Sequence, residues 1–426
     1  MNKRGLLEIL AISILIFLPL TLAFSGSGEG TAGSSYNITN CTQLQEINNN
    51  LTAYYQLTSN IDCSDTINWN TGAGFIPLGN EISLFTGSFQ GNNYNISGLY
   101  INNNTRDYSG LFGYVLGEVK NVRLINVNIT SKEFVGGIAG LYQGSANLSN
   151  VHVSGEIKAT GYVGGLTGYL EENIAILDSS SEASINSTST YTGGLVGSSY
   201  TGTIIENSHF TGNIQSTGNY AGGIAGIFSG LRITNCYSTG NITTTKAYVG
   251  GIAGKFDGGA GATISNSNNS GNITASSSYV GGIVGLFGEG DVTNSHSTGH
   301  INGRGYVGGL FGSFGEGDII NSYATGNIDG TDDCVGGLVG EFVIGQILGS
   351  NASGNVNSSA GWYVGGLVGE FYEEWGAGYA YLISNSHATG DVQGYSQVGG
   401  LVGDFYTGNI TNSYAFCMAK TAYRFS

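Results

Sequence analysis

The stretch Tyr363–Phe371, "YVGGLVGEF", decides the fold. Alone, its glycine pair and third glycine read equally well as a phosphate cradle or as a demand of backbone geometry. The rest of the chain separates the two. The pattern Gly-Gly-(Leu/Ile)-x-Gly begins at Gly136, Gly164, Gly193, Gly222, Gly250, Gly281, Gly308, Gly336, Gly365 and Gly399, with a shorter form, "YSGLFG", ending at Gly113. Successive copies lie 27 to 34 residues apart. A period of that length marks a solenoid and outweighs a phosphate-loop reading of any single copy.

The remainder of the unit repeats as well. "NSYATGNI", Asn321–Ile328, is echoed by "NSHFTGNI", "NCYSTGNI", "NSNNSGNI", "NSHSTGHI" and "NSHATGDV". Each unit reads as an apolar strand, a glycine turn, a short strand, an Asn turn and another short strand. No window carries a helical period, and segments of about four to six residues suit strands. The expected fold is all-β: a parallel, right-handed β-helix of about eleven rungs, each of about 29 residues. Stacking at ~4.8 Å would place like residues over like. Tyr162, Tyr191, Tyr220, Tyr248, Tyr279, Tyr306 and Tyr363 form one such column, with Phe134 as a variant. Phe256, Phe287, Phe314, Phe342, Phe371 and Phe405 form a second, and the Leu or Ile after each glycine pair a third. A fourth runs Asn150, Asn207, Asn235, Asn266, Asn294, Asn321, Asn385 and Asn412, with Asp178 in one rung. Asn tolerates left-handed backbone, and its amide can bond a stacked copy, so this column suits a corner.

Composition agrees. Gly numbers 74, Pro 2 and Tyr 26, with 40% apolar and 10% charged residues. That is too apolar for disorder and has the Gly, Ser, Thr, Asn and Tyr richness of strands joined by turns. The formal charge of −16, with no basic patch, makes nucleic acid a poor partner. Residues 1–24 begin with Lys3 and Arg4 and continue as an apolar run, Leu6–Phe24, interrupted by Glu8 and Pro19. This reads as a signal peptide cleaved between Ala23 and Ser27, or as an N-terminal anchor if uncleaved, the one route to a membrane. A Gly/Ser-rich linker (25–35), an N-terminal cap with irregular first rungs (36–108), the repeats (109–414) and an atypical end (415–426) follow. Asn40–Leu51 reads as a short capping helix with Thr39 or Asn40 as its N-cap and Leu44, Ile47 and Leu51 on one face. After "NSYA" the end carries "FCMAKTAYRFS" in place of "TGNI". It reads as a truncated or frameshifted end, or a place where another chain docks. Export fits recurring Asn-x-Ser/Thr sequons, from Asn37 to Asn409, that could carry glycans. It also fits a disulfide between Cys41 and Cys63.

The units "GGLVG" and "GGIAG" resemble the GLUG repeat family. That resemblance covers about residues 109 to 414. It implies an exported or cell-surface, adhesin-like β-helix that binds glycans or proteins. Some members carry a separate protease domain, whereas this chain has no HExxH.

Function would then lie in departures from the repeat. The inserted loop Tyr372–Ala380 groups Trp375, Tyr372 and Tyr379 with Glu373 and Glu374, a set suited to stacking on and bonding to sugars. "GEGD" occurs twice on neighbouring rungs and would stack Glu289 on Glu316 and Asp291 on Asp318, a candidate Ca2+ position. Four histidines share one column but never adjacent rungs, which speaks against a shared metal. Lys255, Glu341 and Glu370 share another column, with Lys255 set apart from the two acids. No residue is assigned to catalysis, and a polysaccharide-acting lyase or hydrolase on the same scaffold is the alternative. Two carboxylates about 5–10 Å apart in a groove would favour it.

Overall fold

The computed structural model describes residues 24–421 except 145, 172, 189 and 373–380. It is a parallel β-solenoid of about 12 turns. The rung beginning at Val335 shows the construction. Strand Val335–Gly336 turns through Gly337 and Leu338 into Val339–Leu348, and Asn351–Ala352 and Val356–Ser358 complete the circuit. The strands form three ladders, two with two segments in most rungs and one with a single short segment. Between this rung and the next, Val335 pairs with Val364, Val339 with Val368, Phe342 with Phe371, Ala352 with Ala388 and Val356 with Val392. The repeated pattern therefore settles strand register, because a one-residue slip would turn every core side chain outward.

Columns fill the interior. Leu310, Leu338 and Leu367 are fully buried. The rings of Phe256, Phe287, Phe314, Phe342 and Phe371 stack with successive centroid distances of 4.7, 4.5, 5.2 and 5.1 Å. A polar column runs beside them. Ser295, Ser322, Ser350 and Ser386 are fully buried, yet each hydroxyl donates to the carbonyl two residues earlier and accepts the N–H of the rung before. A buried hydroxyl costs little once both roles are filled.

The corners are divided by residue type. The Asn column is left-handed as expected, with φ near 50° at Asn207, Asn235, Asn266, Asn294 and Asn321, and Gly349 takes the next rung at φ 58°. Side chains bond along it, Asn235 Nδ2 donating to Asn207 Oδ1 at 3.1 Å. The glycine-pair corner is built differently. Its left-handed residue is the tyrosine, at φ 54° in Tyr220, 63° in Tyr248 and 60° in Tyr363. The pair itself answers a lack of space: a Cβ on Gly337 would lie inside the contact distance of the Gly366 carbonyl. Rings of Tyr220, Tyr248, Tyr279 and Tyr306 stack at 4.8, 5.0 and 4.6 Å. That stacking accompanies a backbone conformation bulky residues otherwise avoid.

Helix α1, Cys41–Glu46, covers the N-terminal end. Asn40 is its cap, accepting from Gln43 N–H at 2.9 Å, while Gln43 Oε1 accepts from Thr39 N–H at 2.8 Å. Leu44 and Ile47 are buried beneath it. Cys41 and Cys63 form a disulfide with Cα atoms 5.2 Å apart. At the other end the ladder runs past residue 414: Ala419–Thr421 pairs with Val392–Gly394 and so occupies the place of the missing "TGNI" strand. Phe405, Ile410 and Tyr414 on this last rung are exposed. Among the described residues no helix is long and apolar enough to cross a membrane, and the candidate signal lies outside them up to residue 23.

Gly337→Ala is expected to lower the unfolding midpoint by an equivalent of about 1–3 kcal/mol, the range for forced overpacking. Gly33→Ala, where a Cβ meets nothing within 4 Å, should shift it by less than about 0.5 kcal/mol. Urea titration followed by circular dichroism checks both.

Candidate functional site

A group of ionisable side chains lies where two columns change character together. On the long ladder, Ser313, Glu341, Glu370 and Asp404 stack in register on consecutive rungs. Beside them the tyrosine column is broken by Cys334, left-handed at φ 58° like the tyrosines it replaces. Ser313 Oγ donates to Glu341 Oε2 at 2.7 Å, and Cys334 Sγ donates to Glu370 Oε2 at 3.1 Å. Gln397, last in the tyrosine column, donates to Asp404 Oδ1 at 3.2 Å.

Burial raises the Glu341 carboxyl above the ordinary Glu range, and the neighbouring Glu370 charge adds to the rise against the pull of the Ser313 hydroxyl. The Cys334 thiol is pushed far up, by burial first and then by its bond to Glu370 and the nearby acids, so it is a hydrogen-bond donor and not a nucleophile. Tyr306 is raised by burial first and then by the neighbouring Cys334, Glu341, Tyr279 and Glu370. Lys255 of the same column is held elsewhere, by Asp257 at 2.9 Å. The seam is thus acids and neutral donors. Glu341 and Glu370 were placed in one column by the spacing of the repeat; Cys334 belongs to no cysteine motif, although its position in the tyrosine column is readable from the same spacing.

Of the inserted-loop residues, only Tyr372 is described. It is exposed, with its ring 6.1 Å from that of Tyr406 on the next rung. Trp375, Tyr379, Glu373 and Glu374 lie outside the described residues. Glu289 pairs in register with Glu316. Asp291 Oδ1 accepts the Asp318 N–H at 3.0 Å, and Asp318 Oδ1 accepts the Gln346 N–H at 3.0 Å. Each aspartate thereby ties its rung to the next, and burial with the Asp291 charge raises Asp318. Among the described residues no three His, Cys, Asp or Glu side chains converge as a metal site. Three histidines pack against rings of the following rung, His209 on Tyr237 at 4.5 Å, His296 on Tyr323 at 4.6 Å and His387 on Tyr414 at 5.2 Å, whereas His152 Nδ1 lies 2.9 Å from Ser180 Oγ. Burial holds His152, His209 and His296 below the usual His value.

Register and repeat together define a parallel β-solenoid. The GLUG motif itself matches at residues 188–215 and 276–302. The chain is similar to Halomucin of Haloquadratum walsbyi, 39% identical over 172 residues that make up 38% of this chain and 2% of that protein. It is also similar to an immunoglobulin A1 protease of Streptococcus sanguinis, 32% identical over 36% of this chain and 8% of the relative. The chain thus spans a small part of these relatives. A solved Bacteroides ovatus structure, provisionally titled an immunoglobulin A1 protease, superposes with a TM-score of 0.48 at 21% identity, covering 63% of this chain and 86% of that one.

The raised Glu341 gives a signed pH dependence. A carboxyl with a higher pKa when folded binds its proton more tightly in the native state, so the stability it contributes is complete below the unfolded Glu value and is lost as pH rises above it. The unfolding midpoint is expected to fall between about pH 4 and the raised value, and Glu341→Gln should flatten that fall. Thermal unfolding at stepped pH checks it; an unchanged slope in the variant would remove Glu341 as the source.

Proposed function

We propose that the chain is a rigid module of an exported or cell-surface protein, structural and adhesive in role, which displays glycan- or protein-binding segments from a GLUG solenoid. The observation that carries this reading is the like-on-like register kept from rung to rung, opened widest between Phe371 and Leu382. A rod of this kind spaces and presents whatever its loops hold, and loops on rigid scaffolds are where binding residues collect. Exposed Tyr372 and Tyr406 flank that opening, and the sugar-stacking set Trp375, Tyr379, Glu373 and Glu374 falls within it.

The alternative, a polysaccharide-acting enzyme, has one observation in its favour. Glu341 and Glu370 stack on adjacent rungs, one with a raised carboxyl, as a proton donor and its partner would. Against it, Ser313 and Cys334 already occupy an oxygen of each.

Glycan-array binding of the full chain, with and without residues 372–380, tests the first reading. Binding that vanishes with the loop supports it, and equal signals with and without the loop would sink that site. Release of reducing ends from polysaccharide, abolished by Glu370→Gln, would establish the alternative.

A further inference from the structure

The N-terminal cap contains a cleft of about 440 Å3 between α1 and the segment that follows the second disulfide cysteine. One wall is the outer face of the helix and the turn after it: Thr42, Gln45, Glu46 and Asn49. The other is Trp69, partly buried against the core, with its remaining surface turned to the cleft.

Both walls are fixed. The disulfide ties Cys41, the first residue of α1, to Cys63, which precedes the Trp69 segment. Gln45 of the helix wall is held by Ile76, its amide donating to the Ile76 carbonyl at 2.9 Å and accepting the Ile76 N–H at 2.8 Å. Trp69 Nε1 donates to Asp65 Oδ2 at 3.2 Å. The chain then passes through left-handed backbone at Asn70 (φ 52°) and Thr71 (φ 56°) before Gly72. A β-branched residue in that region is a strained choice, and Asn70 Nδ2 holds the bend by donating to the Gly74 carbonyl at 2.7 Å. The bend is what sets the indole at the cleft.

The remaining wall groups have hydrogen-bonding capacity to spare. Thr42 and Asn49 are exposed and make no side-chain hydrogen bond with the described residues, and Glu46 accepts one, from Ser25 N–H at 2.8 Å. A preformed cleft of this size, with one large aromatic surface and a few convergent polar groups, is the form of a small-ligand site. A single indole as the one large apolar side chain, beside a hydroxyl, an amide and a carboxylate, disfavours lipid. Glu46 and Asp65 disfavour an anion. A pyranose ring offers what these walls lack: an apolar C–H face for the indole and equatorial hydroxyls that can both donate and accept.

We propose that the Trp69 cleft binds a neutral saccharide of one or two pyranose rings. This rests on the adhesive reading above for the class of ligand, but places a site in the cap that is independent of residues 372–380.

The test is titration calorimetry of the full chain against glucose, galactose, mannose, N-acetylglucosamine, cellobiose and lactose. At least one sugar should bind saturably. Trp69→Ala should weaken it at least tenfold. Thr42→Trp, which fills the cleft from the exposed helix face without touching the core, should weaken it equally and guards against misfolding of the first variant. Deletion of 372–380 should leave it unchanged. The proposal is overturned if no sugar of the panel saturates, or if binding survives Thr42→Trp. Loss of binding only on deletion of 372–380 would also overturn it, while upholding the loop site.

Discussion

The structure depends on how closely one glycine-pair corner can approach the next. Gly337 N–H donates to the Gly365 carbonyl at 3.2 Å and Gly366 N–H to the Gly399 carbonyl at 3.2 Å; the same link joins Gly194 to Gly222 and Gly223 to Gly250. Side chains there would hold the rungs apart. With the corner closed, Leu338 can donate to Leu367 O at 2.8 Å, and the flanking strands fall into register. The hydrophobic columns follow from that spacing. They gain burial only because each residue meets its own kind at one strand separation.

The same spacing turns polar residues into ladders. The buried serines would be a liability in isolation, since an unpaired hydroxyl in the core costs free energy. Stacked, each serves the rung before and its own strand. The TGNI asparagines act alike on the outside: Asn213 Oδ1 accepts Asn241 N–H, Asn241 Oδ1 accepts Asn272 N–H, and Asn272 Oδ1 accepts His300 N–H. Asp391 replaces Asn in this role and still bonds Met418 N–H at 3.0 Å, which is how the divergent final residues join the ladder. An acid is tolerated because the role asks only for an acceptor.

Much of this was legible in the residues. The period and the like-on-like columns specified the solenoid, and Asn at the left-handed corner followed from its tolerance of that backbone. Two features were not legible. The left-handed backbone of Tyr363 is one, because nothing local separates it from Gly365, two residues on, as the residue of positive φ. The Trp69 cleft lies outside the repeat, in a segment whose kink arises from tertiary bonds such as Asn70 to Gly74, so no periodicity pointed to it.

Repetition also explains where chemistry can arise. A residue that conforms to its column spends its bonds on the rungs above and below, as the serines, asparagines and stacked histidines do. Only where a column breaks does a side chain acquire a new neighbour. Cys334 in a tyrosine column meets Glu370 in a column that elsewhere holds Leu286 or Ile227. Glu341, the rung before Glu370, is raised by burial and by the Glu370 charge. Trp69 stands where no column yet exists. The rod supplies rigidity, and its interruptions supply the ionisable and aromatic surfaces on which any recognition must be built.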